Sequence, residues 1–174
     1  QTQVILLGAG QTIELAARYF SDLKTGSIHI FNRTYRKAKQ IAQPFHAQAH
    51  VLSDLPDYLA QSDIIVSATS ASLPILGKGM VERALKIRKH KPMLMVDLAM
   101  PRDIEPEIGS LDDVYLYSLE TLQKLIANNM EKRQQNAEEA RHWIDLHVEH
   151  YMRWLESLNA TQLIKKFRHN IENM

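Results

Sequence analysis

Val4-Ile5-Leu6-Leu7 runs straight into Gly8-Ala9-Gly10 and then into a helical pattern at Ile13, Ala16, Ala17 and Phe20. Four consecutive branched apolar residues have no polar face, so they predict a strand buried on both sides, as in a parallel sheet covered by helices. Strand, tight turn and helix in that order make the opening unit of a dinucleotide-binding sheet. Gly8 takes the backbone angles of the turn, Gly10 lets a pyrophosphate approach the main chain, and the free N–H groups of Gln11 and Thr12 at the helix start hold its charge. The usual fingerprint places a third glycine where this chain has Ile13, so the motif needs its context.

That context follows in chain order. A turn at residues 24–27 leads into a second strand, Ile28-His29-Ile30-Phe31. It ends at Asn32-Arg33-Thr34, about two dozen residues beyond Gly8, where a carboxylate would bind the ribose 2′-hydroxyl of NAD. No carboxylate stands there. Arg33, Arg36 and Lys37 offer cations to a 2′-phosphate, and Thr34 caps the next helix and presents a hydroxyl, so the pattern favours NADP(H). The competing readings are Asn32 as a turn residue and Arg33 as an exposed cation.

A helix over residues 34–43 ends at Pro44, a short strand covers 49–52, a short helix 54–61 and a fourth strand 63–68. The strand's end at Ser67 and Ala68 runs into Thr69-Ser70-Ala71-Ser72-Leu73-Pro74, where an open parallel sheet keeps its ligand crevice, and small side chains there would admit a nicotinamide ring. An ordinary loop rich in Ser and Thr is the alternative. A helix from Gly77 to about Arg88 precedes the fifth strand, 93–97, and the sixth, 114–117. Asp97, at a strand end on the same crevice, is either a functional carboxylate or a loop cap, and Arg102 is placed to pair with Asp103. Alternating strands and helices predict an α/β doubly wound Rossmann-type sheet ordered 3-2-1-4-5-6 over residues 1–118.

Residues 119–174 differ. Apolar residues recur at threes and fours through Leu122, Ile126 and Met130, lapse from Glu131 to Asn136, and resume at Trp143, Ile144, Val148, Tyr151, Trp154, Leu155 and Leu158. The pattern predicts one long helix with a solvent-crossing middle. Asn159-Ala160-Thr161 then breaks it, and Leu163, Ile164, Phe167 and Ile171 start another apolar face. The aromatic face calls for another domain or subunit to cover it. His147 and His150 have a spacing open to a metal, but a helix face is the simpler reading than a ligand set without a third member.

Composition closes other routes. With no cysteine among 174 residues, the chain carries no disulfide, thiolate metal site or thiol nucleophile. A net charge of +1 gives no general field for nucleic acid, and the basic runs 86–91 and 165–168 read as solvated helix ends. No apolar run approaches the roughly 18 residues of a membrane span, so no membrane partner and a cytoplasmic location are expected. Opening on Gln1 three residues before a strand, the chain reads as a fragment.

Taken together, Gly8-Ala9-Gly10-Gln11-Thr12-Ile13-Glu14-Leu15, Asn32-Arg33-Thr34, Leu73-Pro74-Ile75-Leu76-Gly77-Lys78-Gly79-Met80 and Val96-Asp97-Leu98-Ala99-Met100-Pro101-Arg102-Asp103-Ile104 closely resemble glutamyl-tRNA reductase, a likeness that continues through residues 112–117 and Trp154-Leu155. In that family Ile stands in the third-glycine position. The resemblance implies an NADPH-dependent oxidoreductase that converts glutamyl-tRNA to glutamate-1-semialdehyde for tetrapyrroles, with a thioester on a cysteine of an N-terminal domain and a helical dimerisation domain. This chain matches the NADPH-binding domain, the connecting helix and the start of the dimerisation domain, and is expected to be inactive alone. For Gly8, Ala9, Gly10, Gln11, Thr12 and Ile13 the resemblance implies pyrophosphate binding. For Asn32, Arg33, Thr34 and Lys37 it implies adenosine-phosphate recognition, and for Ser67, Ala68, Thr69 and Ser70 proximity to the nicotinamide; Asp97 joins them as a candidate. A homodimer through the C-terminal helices, glutamyl-tRNA as substrate of the full protein and the downstream semialdehyde aminomutase are the implied partners. The alternatives are a shikimate-dehydrogenase-like NADP reductase domain and a non-catalytic nucleotide-fold dimerisation module.

Overall fold

A computed structural model describes residues 2–172, apart from the side chains of Glu131, Gln135, His142 and residues 156–172. The strands are β1 (Gln3–Leu7), β2 (Ser27–Asn32), β3 (Gln48–Val51), β4 (Ile64–Ser67), β5 (Met93–Asp97) and β6 (Val114–Ser118). The helices are α1 (Gln11–Asp22), α2 (Tyr35–Ala42), α3 (Leu55–Leu59), α4 (Lys78–Ile87) and α5 (Leu119–Glu172). All strands pair in parallel in the order β3-β2-β1-β4-β5-β6, the doubly wound arrangement expected from the alternation. A short 3₁₀ helix, Pro106–Ser110, replaces a full crossover helix before β6.

Alternate residues of the central strands feed two cores. Ile5, Leu7, Phe31, Ile65 and Met95 pack with α3 and α4 on one face. Val4, Leu6, Ile30 and Val66 pack with Ile13 and Ala17 of α1 and Ala38 and Ala42 of α2 on the other. From Val4 to Leu7, β1 therefore needs apolar side chains at every position, which is why it reads as an unbroken run.

Two elements depart from the sequence reading. Arg88, placed in a solvated basic run, has a side chain only 3% exposed. Its guanidinium donates to the carbonyls of Lys91 (2.7 Å), Pro92 (2.8 Å) and Ser62, and to the Asp63 carboxylate (3.0 Å), tying the end of α4 to the starts of β4 and β5. The expected break at residues 159–161 does not occur, because α5 runs unbroken for 54 residues. Asn and Thr each cost a helix only roughly 0.7 kcal/mol relative to alanine, Ala160 costs nothing, and neither Gly nor Pro is present to stop it. The second apolar face expected at Leu163, Ile164, Phe167 and Ile171 lies outside the described side chains.

The chain divides into two compact units, Gln1–Gln123 and Lys124–Met174. Within the second, Trp143, Ile144, Val148, Tyr151 and Met152 are each more than half exposed. Among the described residues no helix is long and apolar enough to cross a membrane.

Candidate functional site

From β1 the chain winds to β2 and β3 on one side, then returns to β4 on the other. The winding reverses between β1 and β4, so the loops leaving their C-terminal ends diverge and open a crevice. A cleft of about 510 Å³ lies there. Ala9 and Gly10 line it after β1, Asn32, Arg33, Thr34 and Lys37 after β2, and Ala68, Thr69, Ser70 and Ala71 after β4, with Phe31, Leu52 and Ile75 as its apolar lining. Nine of the sequence-derived candidates thus meet in one place, at the ends of three strands far apart in the chain.

The glycines have different tasks. Gly8 has φ +123°, and a Cβ built on it would lie 2.6 Å from the Ala68 carbonyl oxygen and 3.2 Å from Ile13 Cγ1. It does not line the cleft; its missing side chain lets the turn after β1 touch the loop after β4. Ile13 is fully buried against Gly8, so a packed side chain occupies the third-glycine position. Gly10 is extended at the N-cap of α1 (φ −102°, ψ 179°), and a Cβ there would meet nothing within 4 Å. Its carbonyl accepts the N–H groups of Ile13 and Glu14, both at 3.1 Å. Among the described residues, the N–H groups of Ala9, Gly10, Gln11 and Thr12 have no partner, which leaves an α-helix N-terminus ready for an anion. Gln11 and Thr12 expose their side chains and contribute backbone alone.

At the end of β2, Asn32 Nδ2 donates to the Thr34 carbonyl at 3.1 Å and fixes the turn that carries Arg33. Thr34 occupies the N-cap of α2, but its hydroxyl makes no capping bond. Its carbonyl accepts from Lys37 and Ala38 and closes the first turn through the backbone, so the hydroxyl is not used as a cap, and Thr34 lines the cleft. Arg33 and Lys37 are exposed, and among the described residues no carboxylate comes within ion-pair reach of either. Two cations with no internal counter-charge and a nearby hydroxyl form a donor set suited to a phosphate.

At the end of β4 the sequence reading is corrected. Asp103 does not pair with Arg102, which reaches Glu120 at 2.5 Å on the surface. Asp103 is completely buried and accepts from Ser67 Oγ (2.5 Å), Thr69 N (2.8 Å) and Thr69 Oγ1 (2.5 Å). Ser67 is therefore occupied beneath the cleft and does not line it. Asp97 is also buried, with one oxygen accepting from Ala99 N and the other from Ile104 N, each at 3.0 Å. It holds its own loop and stands outside the cleft lining.

Behind Phe31 lies an aromatic group. Phe31 stacks on His50 with centroids 4.7 Å apart, and His29 and His50 share a hydrogen bond of 3.1 Å between Nδ1 and Nε2. Burial pushes both imidazoles below the usual histidine range; the charge of His50 lowers His29 further, while Asp54 partly offsets the shift at His50. The cleft's β2 side thus rests on rings whose protonation burial disfavours.

Comparison with known proteins follows the same lines. The family profile for shikimate / quinate 5-dehydrogenase matches residues 1–125. The chain is 48% identical over 172 residues to glutamyl-tRNA reductase of Coxiella burnetii, covering 99% of this chain and 42% of that protein. It is 47% identical over 174 residues to the glutamyl-tRNA reductase of Pseudomonas fluorescens, covering 100% and 41% respectively. The chain spans about two fifths of the length of these relatives. Among solved structures, glutamyl-tRNA reductase from Methanopyrus kandleri superposes with a TM-score of 0.71 at 31% identity, over 80% of this chain and 35% of that one. The nucleotide binding domain of the Thermoplasma volcanium enzyme gives 0.60 at 22% identity, over 76% of this chain and 86% of that one, and speaks for the fold.

Proposed function

The chain belongs to the shikimate / quinate 5-dehydrogenase family through its nucleotide-binding domain, and on that premise we propose that it is the NADPH-binding and dimerisation portion of a glutamyl-tRNA reductase. The carrying observation is the convergence of Ala9-Gly10, Arg33-Thr34-Lys37 and Thr69-Ser70 on one cleft at the switch point of the sheet. A dinucleotide fits that donor set. The partnerless N–H groups opening α1 hold the pyrophosphate, and the open face of Gly10 lets it reach the main chain. Arg33, Lys37 and the Thr34 hydroxyl bind a 2′-phosphate, and the small side chains after β4 flank the nicotinamide. A bound nicotinamide cofactor supplies hydride to an acyl group; the chain's own residues bind and orient it.

Glutamyl-tRNA as the acyl donor rests on the relatives, which match the long helix as well as the nucleotide-binding domain. A shikimate-type reductase is the second reading, favoured by the family profile, but that match stops at residue 125 and leaves most of α5 unexplained. Lacking cysteine, the chain offers no thiolate for a thioester, so the acyl-accepting residue lies outside these 174. The exposed aromatics of α5 are proposed to join two copies, the semialdehyde aminomutase is the proposed downstream partner, and the cytoplasm is the proposed location. Titration of the chain with NADPH, followed by nicotinamide fluorescence, tests the cofactor assignment. Saturable binding supports it, and no binding removes it.

A further inference from the structure

Resting on that cofactor reading, we propose that Asp103 is the positioning residue of the cleft wall after β4, holding Thr69 and Ala71 in the arrangement that receives the nicotinamide half of a dinucleotide. A carboxylate buried without a cation is costly, and here it survives because three donors converge on it. All three belong to the end of β4 or the loop beyond: Ser67 Oγ, Thr69 N and Thr69 Oγ1. With its proton committed to Asp103, Thr69 Oγ1 accepts from Ala71 N at 3.1 Å, so the carboxylate sets the backbone of a second lining residue. The Asp103 carbonyl also accepts from Ile75 N (2.7 Å) and Leu76 N (3.0 Å). One residue thereby fixes both ends of the loop 69–75.

Asp103 is itself held. Ile104 is in the core and bridges Leu76 in parallel, and its N–H is bound by Asp97 at the end of β5. On the far side Glu105 accepts from Lys78 N at 2.7 Å, anchoring the start of α4. Asp97, Asp103 and Glu105 thus carry position from β5 across to the cleft, and only the middle one bonds to residues that line it. Because β2 and β4 flank β1 on opposite sides, the Arg33 end and the Thr69 end of the cleft are separate walls. Disturbing Asp103 should loosen one and spare the other.

The test uses the full chain and two ligands: NADPH, which spans both walls, and 2′,5′-ADP, which carries the adenosine phosphates alone. Calorimetric Kd values are measured for the wild type, Asp103→Asn, Thr69→Val and Thr69→Ser. Asn at 103 turns an N–H₂ toward donors, and Val at 69 keeps the shape but removes the hydroxyl. Both are expected to weaken NADPH by roughly tenfold, the worth of one lost buried hydrogen bond, with 2′,5′-ADP within twofold of wild type. Thr69→Ser keeps the hydroxyl and should retain NADPH affinity. Where Asp103→Asn is unfolded by circular dichroism, the Thr69 pair decides. Unchanged NADPH affinity in Thr69→Val, or equal loss of both ligands, overturns the positioning role while leaving the cofactor assignment intact. A wild type that binds neither ligand overturns the cofactor assignment, and this inference with it.

Discussion

Substituting Gly8 by alanine tests whether the turn after β1 and the loop after β4 are one rigid construction. The added Cβ would lie 2.6 Å from the Ala68 carbonyl oxygen, inside any tolerated contact. Its neighbour is backbone, and that backbone is pinned, since Ala68 N donates to the Leu7 carbonyl at 3.0 Å. No side-chain rotation relieves the clash. The residue must also keep φ +123°, a conformation costing a non-glycine residue on the order of 1–3 kcal/mol. Adding the displacement of a packed core gives a loss of about 3 kcal/mol, which for a chain of this size lowers Tm by roughly 6–12 °C. Gly10→Ala is the matched control: it has an ordinary φ, a Cβ with nothing within 4 Å, and only a weaker N-cap, worth about 0.5–1 kcal/mol. Gly10 lines the cleft, so Tm should fall by at most about 4 °C while NADPH affinity falls. Differential scanning calorimetry with ligand titration reads both variants. A wild-type Tm for Gly8→Ala, or wild-type NADPH affinity for Gly10→Ala, would refute the division of labour between the glycines.

Arg88→Ala leaves the carbonyls of Ser62, Lys91 and Pro92 without their donor and should cost about 3 kcal/mol in urea unfolding; a loss below 1 kcal/mol would show that water replaces the guanidinium. His29 and His50 both have lowered pKa values, so the unfolded chain takes up protons before the folded one does. Their contribution to stability is present above about pH 6.5 and is lost as pH falls through the folded values; Tm should drop over that range, and less steeply in His50→Gln. An equal slope in both proteins would remove the pair as its source. Sedimentation equilibrium should find the whole chain associating and residues 1–123 monomeric, with Trp143→Glu weakening association; monomers throughout would end the proposed dimer role of α5.

What the sequence disclosed and what it hid follow from the range of the interactions. β1, β4 and β5 were legible because a strand covered on both faces must be apolar throughout, and the glycine turn with Arg33 was legible because its parts lie at fixed spacing in the chain. Arg88 was misread because a buried cation among Lys86, Lys89 and Lys91 carries no local mark; its partners at Ala60, Ser62 and Asp63 are some 25 residues away. Asp103 was assigned to its neighbour Arg102 for the same reason, although its partners lie 34 and 36 residues earlier. Thr34 was placed correctly at a helix start, but which of its two oxygens closes the first turn is set by backbone angles that sequence does not display. Phe31, Leu52 and Ile75 went unnamed as lining because apolar residues give no chemical signal until the fold gathers them.

The proposed selection of a 2′-phosphate by the end of β2 is tested by measuring Kd for NADPH and NADH on the wild type and on Arg33→Ala. Arg33 is exposed, lines the cleft and has no ion-pair partner among the described residues, so truncating it removes a ligand contact without disturbing the core. A charge-assisted phosphate contact is worth about 1.5–3 kcal/mol, which corresponds to a loss of roughly 10- to 150-fold for NADPH, with NADH nearly unchanged. A wild type without preference for NADPH, or an equal loss of both cofactors in the variant, would remove Arg33 as the 2′-phosphate ligand.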